Sequence, residues 1–290
     1  MVIFAGAPEA GAILGWEDDY VRATRPLERM AKLRRAQPVD AAEYRRHMAA
    51  QALDWTEEER RRLAPLAERV ERFVETLRAR MPARILLAKA ADVMDGTPHT
   101  RVNAIVLPRA FLASARQGDL AYVIGHELFH LLSRHDERAR EQLYAAIGFR
   151  PCQRTELPAA LERLRITNPD APEDRHTIRV RHRGQAVEAM PVSMLNSGKL
   201  DPARGFLGRM RTSWLLIERR DDVCRATGRS VEAQELEGLF GQVGRNTGTL
   251  IHPEEILADN FAALAIVSLA GRHVPLPSPD VAERIRAILF

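Results

Sequence analysis

The chain has 290 residues, of which 46% are hydrophobic and 28% charged, as is typical of a soluble globular protein with one or two domains. Its net charge of +4 is mildly basic, but the arginines alternate with acidic residues, which argues against a nucleic-acid-binding surface. The apolar run from Phe261 to Gly271 is about half the ~20 residues that a membrane span needs, so no transmembrane helix is expected.

The N-terminus and the cysteines indicate a compartment. No basic segment precedes the first apolar residues, and Pro8 and Glu9 interrupt them, so the start does not resemble a signal peptide. Cys152 and Cys224 are far apart in sequence, and two cysteines do not make a disulfide framework. These features favour a cytoplasmic protein.

Residues 1–82 are predicted to be helical. Short amphipathic helices are expected at 26–37 and 40–53. A longer one begins at Thr56, which forms a capping box with Glu59 and precedes an arginine-rich solvated face. Pro82 ends this longer helix. Its buried stripe follows spacings of three and four through Leu63, Leu66, Val70, Phe73 and Leu77.

Three further regions follow. Residues 83–150 are predicted to form strands at 83–90 and 101–108 and then a helix over 119–140. Residues 151–204 form an insert with a hairpin, whose strands HTIRVRH and AVEAMPVSML are separated by the turn Arg183-Gly184-Gln185. Residues 205–290 are predicted to return to helix, at 206–226, 231–243 and 252–271. Because no repeat or linker divides the chain, we expect a single α+β domain that is predominantly helical.

The predicted helix over 119–140 carries a metal-ligand pattern. Residues four apart share a helix face, so His126 and His130 can bind one metal ion. Glu127 can reach a metal-bound water as a general base, which is the HExxH arrangement of zinc hydrolases. The alternative is a buried helix whose histidines are satisfied by hydrogen bonds alone. The apolar neighbours disfavour it, because burying unpaired polar groups costs several kcal/mol.

A catalytic zinc needs a third protein ligand, and Asp136 is the nearer of two candidates. Its distance in sequence from His126 matches the metzincin pattern, which requires a glycine turn where Ser133 stands here. Without that turn the helix carries Asp136 ~9 Å beyond His130, and His135 fails for the same reason.

The other candidate for the third ligand lies in the predicted helix at 252–271. Glu255 would bind the metal, and Asp259 one turn later would accept the N–H of a ligating histidine. Ala258 and Ala262 would let this helix pack closely on the first. Glu254 is a weaker ligand candidate, and acids in an ordinary helical first turn are the alternative explanation for it and for Glu255.

The motifs HELFH at 126–130 and EILAD at 255–259 resemble the HExxH…ExxAD signature of the gluzincin metallopeptidases. They are most similar to those of the prenyl-protein (CAAX) peptidases and their bacterial heat-shock relatives. The resemblance implies a zincin-like fold with one zinc ion per chain, bound by His126, His130 and Glu255. Those relatives are embedded in membranes and this chain has no predicted span, so lipidated substrates are not implied.

The same family carries a strand before its active-site helix that NAIVLP, from Asn103, is similar to. In the family this strand is the sheet edge along which the substrate backbone pairs. The resemblance therefore implies that Asn103 and Ala104 contact the substrate, although a plain strand is an equally good explanation.

The sequence predicts hydrolysis of a peptide or protein substrate by a zinc-activated water, with Glu127 as the general base. The alternative from another class is a non-catalytic, zinc-stabilised scaffold or partner-binding module. Glu127 argues against it, because a structural zinc site has no use for a base. Tyr144, His182 and His252 could stabilise an oxyanion, and none of them is assigned that role.

Overall fold

The computed structural model describes residues 1–201 and 205–290. It is 47% helical and 23% strand, with two sheets, so the predicted mixture of α and β structure and the excess of helix are both confirmed. None of the helices in these residues is long and apolar enough to cross a bilayer.

The N-terminal region is helical, as predicted. The Thr56 side chain accepts from the Glu59 N–H, and the Glu59 carboxylate accepts from the Thr56 N–H, so the predicted capping box is confirmed. The elements are β1 (Val2–Phe4), α1 (Ala7–Leu14), α2 (Asp19–Ala23), α3 (Pro26–Leu33), α4 (Ala41–Ala49), β2 (Ala52–Leu53) and α5 (Glu57–Glu75).

The first sheet is completed by β3 (Ile85–Ala90), β4 (His99–Arg101) and β5 (Ala104–Pro108). Its order is β1-β3-β5-β4, with β2 also pairing β3. A turn at Val102 and Asn103 divides the strand predicted over 101–108, and Val102 has a φ of 55° there. The turn lets β4 fold back antiparallel to β5, so β4 and not β5 forms the edge of this sheet.

Next come α6 (Arg109–Ser114), α7 (Gln117–His135) and α8 (Glu137–Ala146). The helix predicted over 119–140 is therefore two helices. Asp136 ends the first and caps the second, where its carboxylate accepts from the Ala139 N–H and from Arg80.

The second sheet contains β6 (Phe149–Pro151), β7 (Arg154–Glu156), β8 (His176–His182), β9 (Gln185–Leu195), β10 (Met210–Arg220) and β11 (Val223–Val231), with α9 (Ala159–Glu162) between β7 and β8. Its order is β6-β8-β9-β10-β11-β7. The predicted hairpin is confirmed as β8 and β9.

The prediction of a helix over 206–226 is wrong, because β10 and the start of β11 occupy most of those residues. β10 pairs β9 over its first eight residues, and Asp221, with a φ of 54°, lies in the turn that leads to β11. The apolar run Trp214–Ile217 is compatible with either structure by spacing, and pairing on both sides of β10 decides for strand. The insert predicted at 151–204 thus continues to residue 231.

The remaining helices are α10 (Leu239–Val243), α11 (Pro253–Ala270) and α12 (Pro279–Leu289). α11 packs closely along α7. A methyl group at Gly125 would lie 3.3 Å from Ala262 Cα and 3.3 Å from Ala265 Cβ, which is tighter than most side-chain contacts, so glycine suits the crossing of the two helices. The predicted alanine face of α11 therefore packs against α7, as expected.

One hydrophobic core cluster includes residues of both sheets and of the long helices, among them Ile105, Leu128, Ile178, Trp214 and Phe261. A disulfide joins Cys152 to Cys224 across the second sheet. Disulfides persist mainly in oxidising compartments, and the cytoplasmic location expected from the sequence stays a prediction.

Candidate metal centre

His126 and His130 lie one turn apart on α7, facing the first two turns of α11. His126 Nε2 is 3.1 Å from Glu255 Oε2, and His130 Nε2 is 3.8 Å from Glu255 Oε1. The structure therefore brings together the three residues that the sequence proposes as metal ligands. Ligand atoms on a tetrahedral zinc, with bonds of ~2.1 Å, lie ~3.4 Å apart, which these separations match.

Each histidine has a carboxylate on its other ring nitrogen. His126 Nδ1 donates to Asp259 Oδ1 at 2.9 Å, as predicted from the spacing in α11. His130 Nδ1 donates to Glu254 Oε1 at 2.9 Å. Such contacts fix the tautomer with the proton on Nδ1 and leave the Nε2 lone pair free for a metal.

Glu254 is fully buried and accepts from two further side chains. Ser133 Oγ donates to its Oε1 at 2.5 Å, and Tyr144 donates to its Oε2 at 2.5 Å. The sequence interpretation that Glu254 is a weak ligand candidate is therefore replaced by a supporting role behind His130. Ser133, which stands where a metzincin has glycine, contributes to the same support.

Glu255 accepts a hydrogen bond from outside α7 and α11. Asn168, in the loop before β8, donates its amide N–H to Glu255 Oε1 at 2.7 Å. Each of the three candidate ligands thus has a polar partner on an element other than its own, α11 for the two histidines and the loop before β8 for Glu255.

The charges of this cluster favour a cation. Burial alone would lower the pKa of both histidines, but the carboxylates around them raise the pKa of His126 well above its usual value and that of His130 to about 9. Burial would raise the pKa of Glu255, but the two histidines and Asn168 lower it well below the usual range. Without a metal, protons supply the positive charge that a divalent ion would otherwise bring.

A second set of oxygen and nitrogen atoms also lies within 4.8 Å of one another, contributed by Glu127, His130 and Asp170. It shares His130 with the first set, so the two sets compete for one imidazole. The first set offers two imidazole nitrogens and one carboxylate, the donor mixture of catalytic zinc sites with two histidines and a glutamate, so His126, His130 and Glu255 fit a zinc ion better.

Glu127 has the surroundings of a base. It is 3% exposed, and its Oε2 atom has no hydrogen-bond partner among the described residues. Its side chain lines a cavity of about 320 Å³ together with His126, Glu255 and Asp259. An unpartnered carboxylate oxygen beside the ligands is positioned for a water or a substrate group.

Asn103 and Ala104 are not brought to this cavity. β5 is paired on both sides, Ala104 is fully buried, and the Asn103 amide donates to the Arg84 carbonyl at 2.9 Å. The edge strand that reaches the cavity is β4, through His99. The expectation for Asn103 and Ala104 assumed that β5 is the sheet edge, and the turn at Val102 makes that assumption wrong.

The other residues considered as ligands or oxyanion donors do not line the cavity beside the candidate ligands. Asp136 caps α8, and His135 is exposed. Tyr144 and His252 lie behind Glu254, whereas the nearest carboxylate to His182 is Glu235 at 4.0 Å.

Sequence reasoning missed three residues of the site. Tyr122 lines the cavity and contacts Asp259 at 3.4 Å, and its position one turn before His126 on α7 could have shown this. Asn168 and Asp170 lie in a segment interpreted only as loop. No local pattern indicates that this segment returns to the centre, because its contacts with the centre are to residues distant in sequence.

Comparison of the chain with family models, with curated proteins and with solved structures found no match in any of the three.

Proposed function

We propose that this protein is a zinc-dependent peptidase that binds one zinc ion through His126, His130 and Glu255. The observation that carries the proposal is the paired support of the histidines. Each Nδ1 donates to a carboxylate while both Nε2 atoms converge on Glu255, and this arrangement supports a metal site over a pair of buried histidines satisfied by hydrogen bonds alone.

A zinc ion bound there would polarise a scissile carbonyl and lower the pKa of a bound water. Glu127 would accept the proton of that water and pass it to the leaving amine. In the metal-free protein burial raises the pKa of Glu127 to about 8, and a divalent cation beside this carboxyl would lower that pKa and leave it able to accept a proton. The apolar walls of the cavity would exclude bulk water from the reacting groups.

The decisive experiment is Glu127→Gln. Because Glu127 is proposed as base and not as ligand, this variant should retain one zinc per chain and lose hydrolysis of a peptide library by roughly 100-fold or more. His126→Ala should lose both zinc and hydrolysis. Zinc content by metal analysis and turnover with quenched fluorescent peptides provide the two readouts.

Glu137→Gln is the matched control, since Glu137 is exposed at the start of α8 and should leave both quantities unchanged. Full turnover by Glu127→Gln would refute the mechanism. A wild-type protein that holds zinc tightly without any exchangeable water or hydrolysis would instead support the non-catalytic scaffold.

A further inference from the structure

The cavity beside Glu127 is mainly apolar away from the metal ligands. No lysine or arginine of the described residues lines it. Its apolar walls include Val123, Ile166, Pro169, Phe206, Leu207 and Met210.

The polar groups of the lining are already engaged. Thr167 donates its hydroxyl to Glu28, and Ser193 lies 3.3 Å from the Thr212 hydroxyl. Asp170 accepts from the N–H and the hydroxyl of Thr100 at 2.8 and 2.5 Å. A bound group would therefore meet mostly hydrocarbon beyond the catalytic residues, and apolar surface is what gains most from entering such a cavity.

The cavity has room for one large side chain. An apolar cavity of about 150 Å³ accommodates a benzene ring. At about 320 Å³, this one holds an aromatic or long aliphatic side chain together with part of the backbone that carries it.

The walls come largely from outside the metal-bearing helices. Ile166 and Pro169 belong to the loop before β8, and Phe206, Leu207 and Met210 belong to the approach and first residue of β10. The helix α7 contributes Tyr122 and Val123 to the same cavity. The second sheet and its loops therefore shape the cavity at a centre whose metal ligands they do not supply.

Resting on the proposed peptidase function, we infer that this cavity receives a large apolar side chain of the substrate, next to the scissile bond. The substrate class is a peptide with an aromatic or long aliphatic residue at that position. The second sheet sets the preference, and α7 and α11 supply the chemistry.

The test uses Leu207, which is 41% exposed, so a charge there should leave the fold intact. Zinc-loaded wild type should cleave a peptide with Phe at one flanking position at least 10-fold faster, as kcat/KM, than the same peptide with Ala there. Leu207→Glu should reduce this Phe-to-Ala ratio by about 10-fold with zinc content unchanged. Because the readout is a ratio, a general change in activity does not affect it.

Val267→Glu is the matched control. Val267 is 39% exposed on α11 and does not line the cavity, so the ratio should stay at the wild-type value. Calorimetric binding of two peptide hydroxamates, one with Phe and one with Gly at the flanking position, gives the same comparison without turnover. The Phe compound should bind at least 10-fold tighter to wild type and lose that advantage in Leu207→Glu.

Zinc-dependent cleavage with equal rates for Phe and Ala peptides would overturn the inference and leave the proposed peptidase intact. Equal binding of the two hydroxamates would do the same. If Glu127→Gln matched wild type in every peptide assay, the proposed function itself would fail, and with it this reading of the cavity.

Discussion

Glu254 and Asp259 show how two acids in one helix can perform the same task for two histidines. Five residues apart on α11, they reach different turns of α7, and each accepts the Nδ1 proton of one imidazole. The environments differ, however. Glu254 is fully buried with three donors, whereas Asp259 is partly exposed and is also bonded by Thr247. Their replacement should therefore have different consequences for the fold.

Asp259→Ala should weaken zinc affinity by roughly 10–100-fold and destabilise the zinc-free protein less than Glu254→Ala does, because water can reach the donors that Asp259 leaves. Glu254→Ala should weaken zinc to a similar degree and also destabilise the zinc-free protein by about 1–3 kcal/mol. The donors of His130, Ser133 and Tyr144 would lose a buried acceptor. Chelator competition and urea unfolding measure the two effects, and equal unfolding energies for both variants would contradict this account.

The assignment of Glu255 as the third ligand can be tested against Asp136, the other candidate. Glu255→Ala leaves two histidines and water around the zinc, so the metal should be stripped by dialysis against a weak chelator. Asp136→Ala should keep its zinc, because Asp136 caps α8 and pairs with Arg80 instead of turning toward the metal. Metal analysis of both dialysed variants gives the answer, and an exchange of the two outcomes would make Asp136 the ligand.

The clustering of the candidate ligands could be predicted from sequence because a helix imposes a short-range rule. His126 and His130 share a face by spacing, and the same rule relates Glu255 to Asp259. The supporting role of Glu254 could not be predicted in this way. It depends on where Ser133 and Tyr144 lie in three dimensions, and neighbouring residues on one helix can face different turns of the partner helix.

At the scale of elements, the segment Thr167–Asp170 links the insert to the metal centre. Thr167 is anchored by Glu28, which accepts from both its N–H and its hydroxyl at 2.9 Å. Glu28 is in turn paired with the buried Lys32 at 2.5 Å. Three residues after this anchor, Asp170 accepts from the N–H of Thr100 in the edge strand β4. The segment is thereby tied to two elements of the N-terminal half while Asn168 reaches Glu255.

Asn168→Ala should weaken zinc affinity by roughly 10–100-fold, because Glu255 loses the donor that orients it. Asn168→Asp also removes this donor, but its negative charge beside Glu255 attracts the metal ion and should offset part of the loss. The exposed Asn196, just after β9, provides the control Asn196→Ala, which should bind zinc like wild type. Chelator competition measures all three. An Asn168→Ala protein with unchanged affinity would make this contact incidental.

The element that sequence patterns described least well is β10. Its residues 214–217 are all buried and apolar, which suits a strand with pairing on both sides as well as a buried helix. β11 does alternate between buried and exposed residues from Cys224 to Thr227, so a strand signal was present there. By contrast, α5 and α11 were predictable because caps and a first-turn proline mark their starts locally.

At the scale of the whole molecule, the free energy of unfolding should depend on pH through a buried histidine. Burial lowers the pKa of His99 to about 4, from 6.5, and its Nδ1 donates to the Thr97 carbonyl. The unfolded chain takes up a proton as the pH falls below 6.5, whereas the folded protein does so only near 4. The stability that His99 contributes is therefore complete above pH 6.5 and is lost as the pH falls toward 4.

Between pH 7.5 and 4.5 this effect amounts to about 2–3 kcal/mol of unfolding free energy. His99→Gln keeps a donor for the Thr97 carbonyl and removes the titration, so its stability should fall by that much less over the same range. Urea unfolding of zinc-free wild type and variant at the two pH values provides the comparison. A parallel fall for both proteins would show that His99 does not stay neutral when folded.

The disulfide between Cys152 and Cys224 also affects the walls of the cavity beside Glu127. It closes a covalent ring of chain, and every residue of the second sheet and its loops that touches Glu255 or lines the cavity lies inside this ring, from Ile166 to Met210. Reduction would leave the sheet pairing and the Glu28 anchor in place but would remove the covalent closure of the ring. We therefore expect the oxidised protein to bind a peptide in this cavity more tightly than the reduced protein does.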